Sequence, residues 1–336
     1  MSVRAKYPLS IETYDRSNQS THPSVIAVDE TVYGFSYVMA MTPYPNGNDL
    51  FENPSIKVSQ DGYTWRLVEG SVDPIVSETG NSQTHHSDPQ ILLKKGEFYL
   101  FFRRTDKVKN CSTILYRKSV NLVNWTDEVV VFVSAWCLSP SFLNVDDQWL
   151  CWYIELEGVN SDNMDSAIFF KTGQSLDSLS EPVKCGCNID NYRPWHIEVK
   201  KFDNNYEALI NAFPVHRRTN RQTLFHFKSA SETSWKEGVL LLKPSLFGWD
   251  NGMIYKSSFL KIDNGDYRVW YSACSYGIKW FIGHIILSGG RAHYNDTNTL
   301  NISSVKQLRH DIIRFFVNVV RKVTPAPVIK RLKRLL

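Results

Sequence analysis

No Cys-x-x-Cys pair occurs among the six cysteines, Cys111, Cys137, Cys151, Cys185, Cys187 and Cys274. The closest two, in Cys185-Gly186-Cys187, have no second His/Cys cluster beside them, so a zinc site is not expected. No stretch reaches the roughly 18 consecutive apolar residues that a membrane-spanning helix needs. Residues Met1 to Pro8 lack the apolar core of a secretory signal, which makes the cytoplasm the expected compartment. Basic charge is missing from most of the chain. Ser303 to Leu336 holds nine Lys/Arg and one acid, Asp311, a net +8 within a total of +4, which leaves −4 on the first 302 residues. An acidic body argues against a nucleic-acid-binding face and points to a tail with its own partner.

Aromatic residues are plentiful: 10 Trp, 16 Tyr and 18 Phe in 336 residues. They fall within an internal repeat of about sixty residues, each copy opening on a short polar motif ahead of an apolar strand. The openings are His22-Pro23, Asp88-Pro89, Ser139-Pro140, His196-Ile197 and Lys256-Ser257. An aromatic-rich second strand follows each: Val32 to Tyr37, Phe98 to Phe102, Trp149 to Tyr153, Tyr206 to Ile210 and Tyr267 to Tyr271. A loop and a third strand complete the copy, and three copies close on Trp65, Trp125 or Trp235, at separations of 60 and 110 residues. Short strands rich in β-branched and aromatic residues indicate an all-β fold, and a repeat of this length is one propeller blade. The expectation is a five-bladed β-propeller over residues 1–300; a β-sandwich is the alternative.

In a propeller the first strand of every blade lines the axis. His22, Asp88, Ser139, His196 and Lys256 are therefore expected to form a polar ring at one mouth of the tunnel. Buried polar groups need partners, so such a ring is either a closed hydrogen-bond network or a ligand site, and a ligand site is the favoured reading. The loops between second and third strands open at the same mouth and offer Tyr44, Glu52, Arg103, Arg104, Glu155 and Arg217. His86, Trp195 and Asp250 stand just before their first strands. Aromatic platforms beside forked charges suit a sugar, and the arginines suit an anionic group on it. For each loop arginine a solvated surface charge is the plain alternative.

These blade-opening motifs resemble the five-bladed propeller glycosidases of glycoside hydrolase family 43 and its relatives in families 32, 62, 68 and 130, over roughly residues 20 to 290. His86-Ser87-Asp88-Pro89 is similar to the family's second-blade Asp-Pro, and Trp195-His196 is similar to its fourth-blade histidine. The resemblance implies a base or nucleophile in the first blade and an acid in the third, but His22-Pro23 and Leu138-Ser139-Pro140 stand there instead. Glycosidic hydrolysis needs two groups, one to protonate the departing oxygen and one to activate water or attack carbon. Asp88 alone cannot do both. His22 could serve as base, and Glu52, Glu155 or Asp250 could reach in as acid. With His and Lys in the ring, no calcium or other metal or cofactor is expected.

Three functions stay open: a glycosidase-like enzyme on an anionic, bacterial-surface-type carbohydrate, a transferase in surface-polysaccharide assembly, and a carbohydrate-binding propeller without catalysis. Residues 303–323 carry Val305, Leu308, Ile312, Phe315, Phe316, Val319 and Val323 at helical spacing among basic residues. Such a basic amphipathic helix suits an anionic membrane surface, which would place the protein at the inner membrane face; packing on the propeller flank is the alternative.

Overall fold

The computed structural model describes residues 4–77, 80, 82–157, 165–215, 221–236, 238–262, 265–288 and 291–293. The amphipathic segment 303–336 and Arg217 lie outside the described residues.

Five antiparallel sheets follow one another along the chain, each a meander of neighbouring strands. Blade one comprises Ser20–Ala27, Tyr37–Pro43 and Ser55–Ser59, and a bridge from Val58 to Arg66 begins a fourth strand. Blade two is Thr84–Lys94, Glu97–Asp106, Cys111–Ser119 and Val129–Ser134. Blade three is Cys137–Val145, Gln148–Glu157, Asp165–Gly173 and Val183–Lys184. Blade four is Tyr192–Phe202, Asn205–Pro214, Thr223–Ser229 and Gly238–Leu242, and blade five is Met253–Lys261, Tyr267–Cys274, Trp280–Ser288 and Arg291–His293. The chain thus folds as the all-β, five-bladed propeller that its repeat implies.

The packing shows why five units close. Each blade is covered on both faces, so second strands such as Tyr37–Pro43 are buried almost throughout instead of alternating. Among the described residues there are five apolar clusters, one for each pair of adjacent blades. Val38 and Ile56 meet Ile91 and Leu100; Phe101 and Ile114 meet Phe142 and Trp149; Trp152 and Phe170 meet Ile210 and Trp235. Leu209 and Leu224 meet Ile254 and Phe259, and Val25 and Met39 meet Trp270 and Ile282. The last pair seals the ring. The N-terminal segment staples it, with Leu9 N–H donating to Ile282 O at 2.7 Å and Trp249 Nε1 donating to Ala5 O at 3.1 Å.

One strand differs from the sequence expectation. Val32 lies in a helical turn, Glu30–Tyr33, and blade one's second strand starts only at Tyr37. Asp29 caps that turn by accepting from Thr31 N–H, and Gly34 ends it at φ 75°, so local capping outweighs the β-propensity of Val32 and Tyr33.

A belt of hydrogen bonds runs round the axis two residues beyond each blade opening. Ser24 Oγ accepts from Ile91 N–H at 3.3 Å, and Gln90 Oε1 accepts from Phe142 N–H at 2.6 Å. Ser141 Oγ accepts from Val199 N–H at 2.9 Å, and Ser258 Oγ accepts from Val25 N–H at 2.9 Å. Ser258 Oγ also donates to Glu198 Oε1 at 2.6 Å, which completes the circle between blades four and five. The belt fixes the height at which the preceding ring of polar residues sits.

Candidate active site

Every blade opening is a bulge. Pairing of first and second strands slips between Thr21 and Ser24, Ser87 and Gln90, Leu138 and Ser141, Pro194 and His196, and Ile254 and Ser257. A bulge re-aims a side chain that a regular strand would point into a blade face. His22, Asp88 and Ser139 hold left-handed backbone at φ 53°, 50° and 48°, and each precedes a proline. Non-glycine residues adopt that region at a cost of order 1–3 kcal/mol, which the surrounding belt and clusters must sustain.

The bulges bring three side chains together on the axis. His22 Nε2 lies 3.3 Å from Asp88 Oδ1, and His196 Nδ1 lies 3.4 Å from the same oxygen. Arg103 Nε approaches Asp88 Oδ2 at 3.1 Å and donates to Ser87 Oγ at 2.9 Å. His22 Nδ1 is held by Thr42 Oγ1 at 3.0 Å and faces Glu52 Oε1 at 3.4 Å, while His196 Nδ1 meets Ser139 Oγ at 2.5 Å. The Tyr255 ring covers both imidazoles, 5.2 Å from His22 and 4.2 Å from His196. The fifth ring residue, Lys256, is buried beneath and donates to Pro89 O at 2.7 Å.

Burial sets the charge states. It drives the His22 imidazole down to about 3 and His196 well below its usual value, against the pull of Asp88, so both rings are neutral at ordinary pH. Burial alone would raise Asp88, but Arg103 foremost holds it well below the carboxylate range. Glu52 goes the other way: burial, then the charge on Asp88, push it well above its usual value. Two carboxyls on either side of one imidazole are thus separated into an ionised and a protonatable one.

His22, Asp88 and His196 are also a metal-ligand set, with one ligand atom of each lying within 4.8 Å of the others. The set fits a divalent ion on several counts. Both rings are neutral, His22 Nε2, His196 Nε2 and Asp88 Oδ1 lack a hydrogen-bond partner, and Thr42 and Ser139 orient the rings through their other nitrogens. The sequence led to no expected metal, because His and Lys in the ring replace the several oxygen ligands that calcium takes; the Lys256 ammonium is turned away onto Pro89 O.

The other residues named from the sequence divide between the site and the blade junctions. Arg103 and Arg104 lie inside the strand Glu97–Asp106 and not on a loop; Arg103 serves Asp88, and Arg104 pairs with Glu128. Glu155 accepts from Ser134 Oγ at 3.1 Å at the junction of blades two and three, with no described contact to the axial centre. Asp250 faces Arg4 at 3.7 Å and Tyr271 at 3.4 Å, fastening the N-terminal segment. His86 is bound to Asn53 Oδ1 at 3.0 Å, and Trp195 Nε1 donates to Tyr255 at 3.4 Å, both flanking the site.

A cavity of about 540 Å³ is lined by Tyr44 and Asn46 of blade one, Tyr276 and Trp280 of blade five and Arg221 beside blade four, among others. Trp280 packs 5.0 Å from both Tyr44 and Tyr255, so a single ring separates this cavity from the histidines. Sequence reasoning missed Thr42, Tyr255, Trp280 and Arg221. Tyr255 could have been found, because it directly precedes the ring position Lys256.

The architecture is the five-bladed propeller fold found in family-43 glycoside hydrolases. A thermostable family-43 glycoside hydrolase superposes with a TM-score of 0.61 at 13% identity, covering 84% of this chain and 94% of the other. The crystal structure of an N-acetylgalactosamine deacetylase from F. plautii, in complex with blood group B trisaccharide, superposes with a TM-score of 0.77 at 21% identity, covering 85% and 95%. In sequence, the A type blood N-acetyl-alpha-D-galactosamine deacetylase of Flavonifractor plautii is 24% identical over 310 residues. That match takes in 76% of this chain and spans 40% of the length of the relative. No family model matches the chain. The relatives are glycan-active propeller enzymes.

Proposed function

We propose that the protein hydrolyses the N-acetyl group of an amino sugar within a carbohydrate. The observation that carries this reading is the axial trio itself. One ionised carboxylate between two neutral imidazoles is a ligand set for metal-assisted hydrolysis, whereas glycosidic cleavage calls for a pair of carboxyls flanking the bond. The likeness to a propeller deacetylase supports it.

A divalent ion held by His22, Asp88 and His196 would supply Lewis-acid polarisation of the amide carbonyl. The chain's own groups do the rest. Glu52, with its raised affinity for a proton, accepts one from the attacking water and returns it to the departing nitrogen. The water oxygen bonds to the acetyl carbon, the C–N bond breaks, and acetate and the free amine leave. Tyr255, whose hydroxyl burial keeps protonated, donates to the developing oxyanion. Arg103 keeps Asp88 ionised and fixed.

The test is a chelation experiment: acetate release from N-acetylhexosaminides by the full chain, before and after chelator, then with zinc, manganese or cobalt added back. Loss and recovery are expected, and Asp88→Asn is expected to abolish both activity and recovery. Acetate release that chelation leaves unchanged overturns the metal-assisted reading. A second reading, glycoside hydrolysis by Glu52 and Asp88, is favoured by one observation, the opposite displacement of their proton affinities across His22.

A further inference from the structure

The cavity is lined by a cation, Arg221, from the segment leading into the third strand of blade four. Its Nη1 donates to Tyr276 OH at 2.8 Å. No carboxylate partner for Arg221 is found among the described residues. Arg103, Arg104, Arg117 and Arg193, by contrast, face Asp88, Glu128, Glu128 and Asp165. Tyr276 is itself fixed, its N–H donating to Asn251 Oδ1 at 2.8 Å. Binding through Nη1 leaves the Nε/Nη2 edge of the guanidinium for a ligand, and that edge is the one that grips an anion with two parallel hydrogen bonds. The lining also holds two aromatic rings, Tyr44 and Trp280, packed 5.0 Å apart. A wall of this kind gives a sugar ring an apolar face to rest on.

From this arrangement we infer that the cavity is a second sugar subsite, selective for an acidic residue, carboxylated or sulfated, next to the amino sugar held at the axis. The inference rests on the proposed reaction only for the identity of that axial sugar. The volume of about 540 Å³ lies within the range of ordinary ligand pockets, and Tyr255 links the two places, touching Trp280 on one side and both histidines on the other. Of the arginines put forward for an anionic substituent, Arg103 and Arg104 are paired within the protein and Arg217 lies outside the described residues; Arg221 takes that role.

Equilibrium binding to the full chain tests it by calorimetry. The probes are an oligosaccharide of alternating N-acetylhexosamine and uronic acid, its carboxyl-reduced counterpart, and a sulfated neutral analogue. The wild type is expected to bind an acidic probe on the order of ten- to a hundredfold more tightly than the neutral one, the worth of a charge-assisted hydrogen-bond pair. Arg221→Met is expected to erase the preference, and Arg221→Lys to retain part of it. Comparing the uronate and sulfate arms tells which anion the subsite takes. Equal binding of acidic and neutral probes, no binding of any, or a preference that survives in Arg221→Met overturns the inference. A preference for acid with no acetate released from any probe leaves this subsite standing and rejects the amide hydrolysis.

Discussion

Arg103 reaches Asp88 from the neighbouring strand of the same blade, its Nε 3.1 Å from Oδ2, while the other carboxylate oxygen faces both axial histidines. Arg103 also donates from Nη1 to Cys137 O at 3.0 Å, so one buried guanidinium orients the axial carboxylate and ties blade two to blade three. Removing one partner of such a buried pair costs about 3–5 kcal/mol, because the other charge is left uncompensated. Arg103→Met is expected to lower unfolding stability by that order in urea titration and to abolish activity. The double variant Arg103→Met/Asp88→Asn should recover much of the stability and none of the activity.

Glu52 gives a pH signature of opposite sign to Asp88. Its folded proton affinity lies above the unfolded one, so its contribution is complete below about pH 4.5 and is lost as pH rises through the folded value. Glu52→Gln removes that loss. The variant should therefore melt higher than the wild type at pH 8, with the gap closing by pH 4, while kcat falls about 10²–10⁴-fold as expected for a general acid–base group. Equal melting temperatures at both pH values would contradict the buried, raised carboxyl.

The blade-opening ring was legible because a repeat puts equivalent residues at equivalent heights. His22, Asp88, Ser139 and His196 needed only alignment to be brought together. Residues that approach across the repeat were not legible. Arg103 reads as a loop residue when strand lengths are guessed from apolar runs, yet the strand runs on to Asp106. Thr42 and Trp280 lie on second and third strands, where near-continuous burial shows only that a residue is inside. Arg221 looks like any surface arginine until Tyr276 and the cavity are seen around it. Glu155 and Asp250 show the reverse case: acids at the right place along a blade whose local partners, Ser134 and Arg4, hold them elsewhere.

His284 offers a pH test away from the site. It is buried against Tyr63 and Trp270, accepts from Arg268 Nε at 3.3 Å, and is driven down to about 3, by burial first and Arg268 second. The unfolded chain binds the proton more readily, so stability from this group is present above pH 6.5 and is lost as pH falls toward 3. In His284→Gln the slope of unfolding free energy against pH across that window should be smaller by about one proton's worth, 1.4 kcal/mol per pH unit at most.

Gln90 tests the axial belt. Its side chain accepts from Phe142 N–H at 2.6 Å and donates to Phe142 O at 2.9 Å, the one place where two blades are joined by both groups of a side-chain amide among the described belt residues. Gln90→Leu keeps the volume and leaves a buried N–H and C=O unpaired, at about 1–3 kcal/mol each. Urea unfolding should show a loss of that order, with the midpoint shifted and the slope unchanged.

Acetate and new reducing ends, counted in the same reaction, decide the central claim. With an N-acetylhexosaminide-containing oligosaccharide and a divalent ion present, the axial trio predicts stoichiometric acetate and free amine, no new reducing ends, and silence in Asp88→Asn. New reducing ends without acetate would show that Asp88 and Glu52 cleave the glycosidic bond instead.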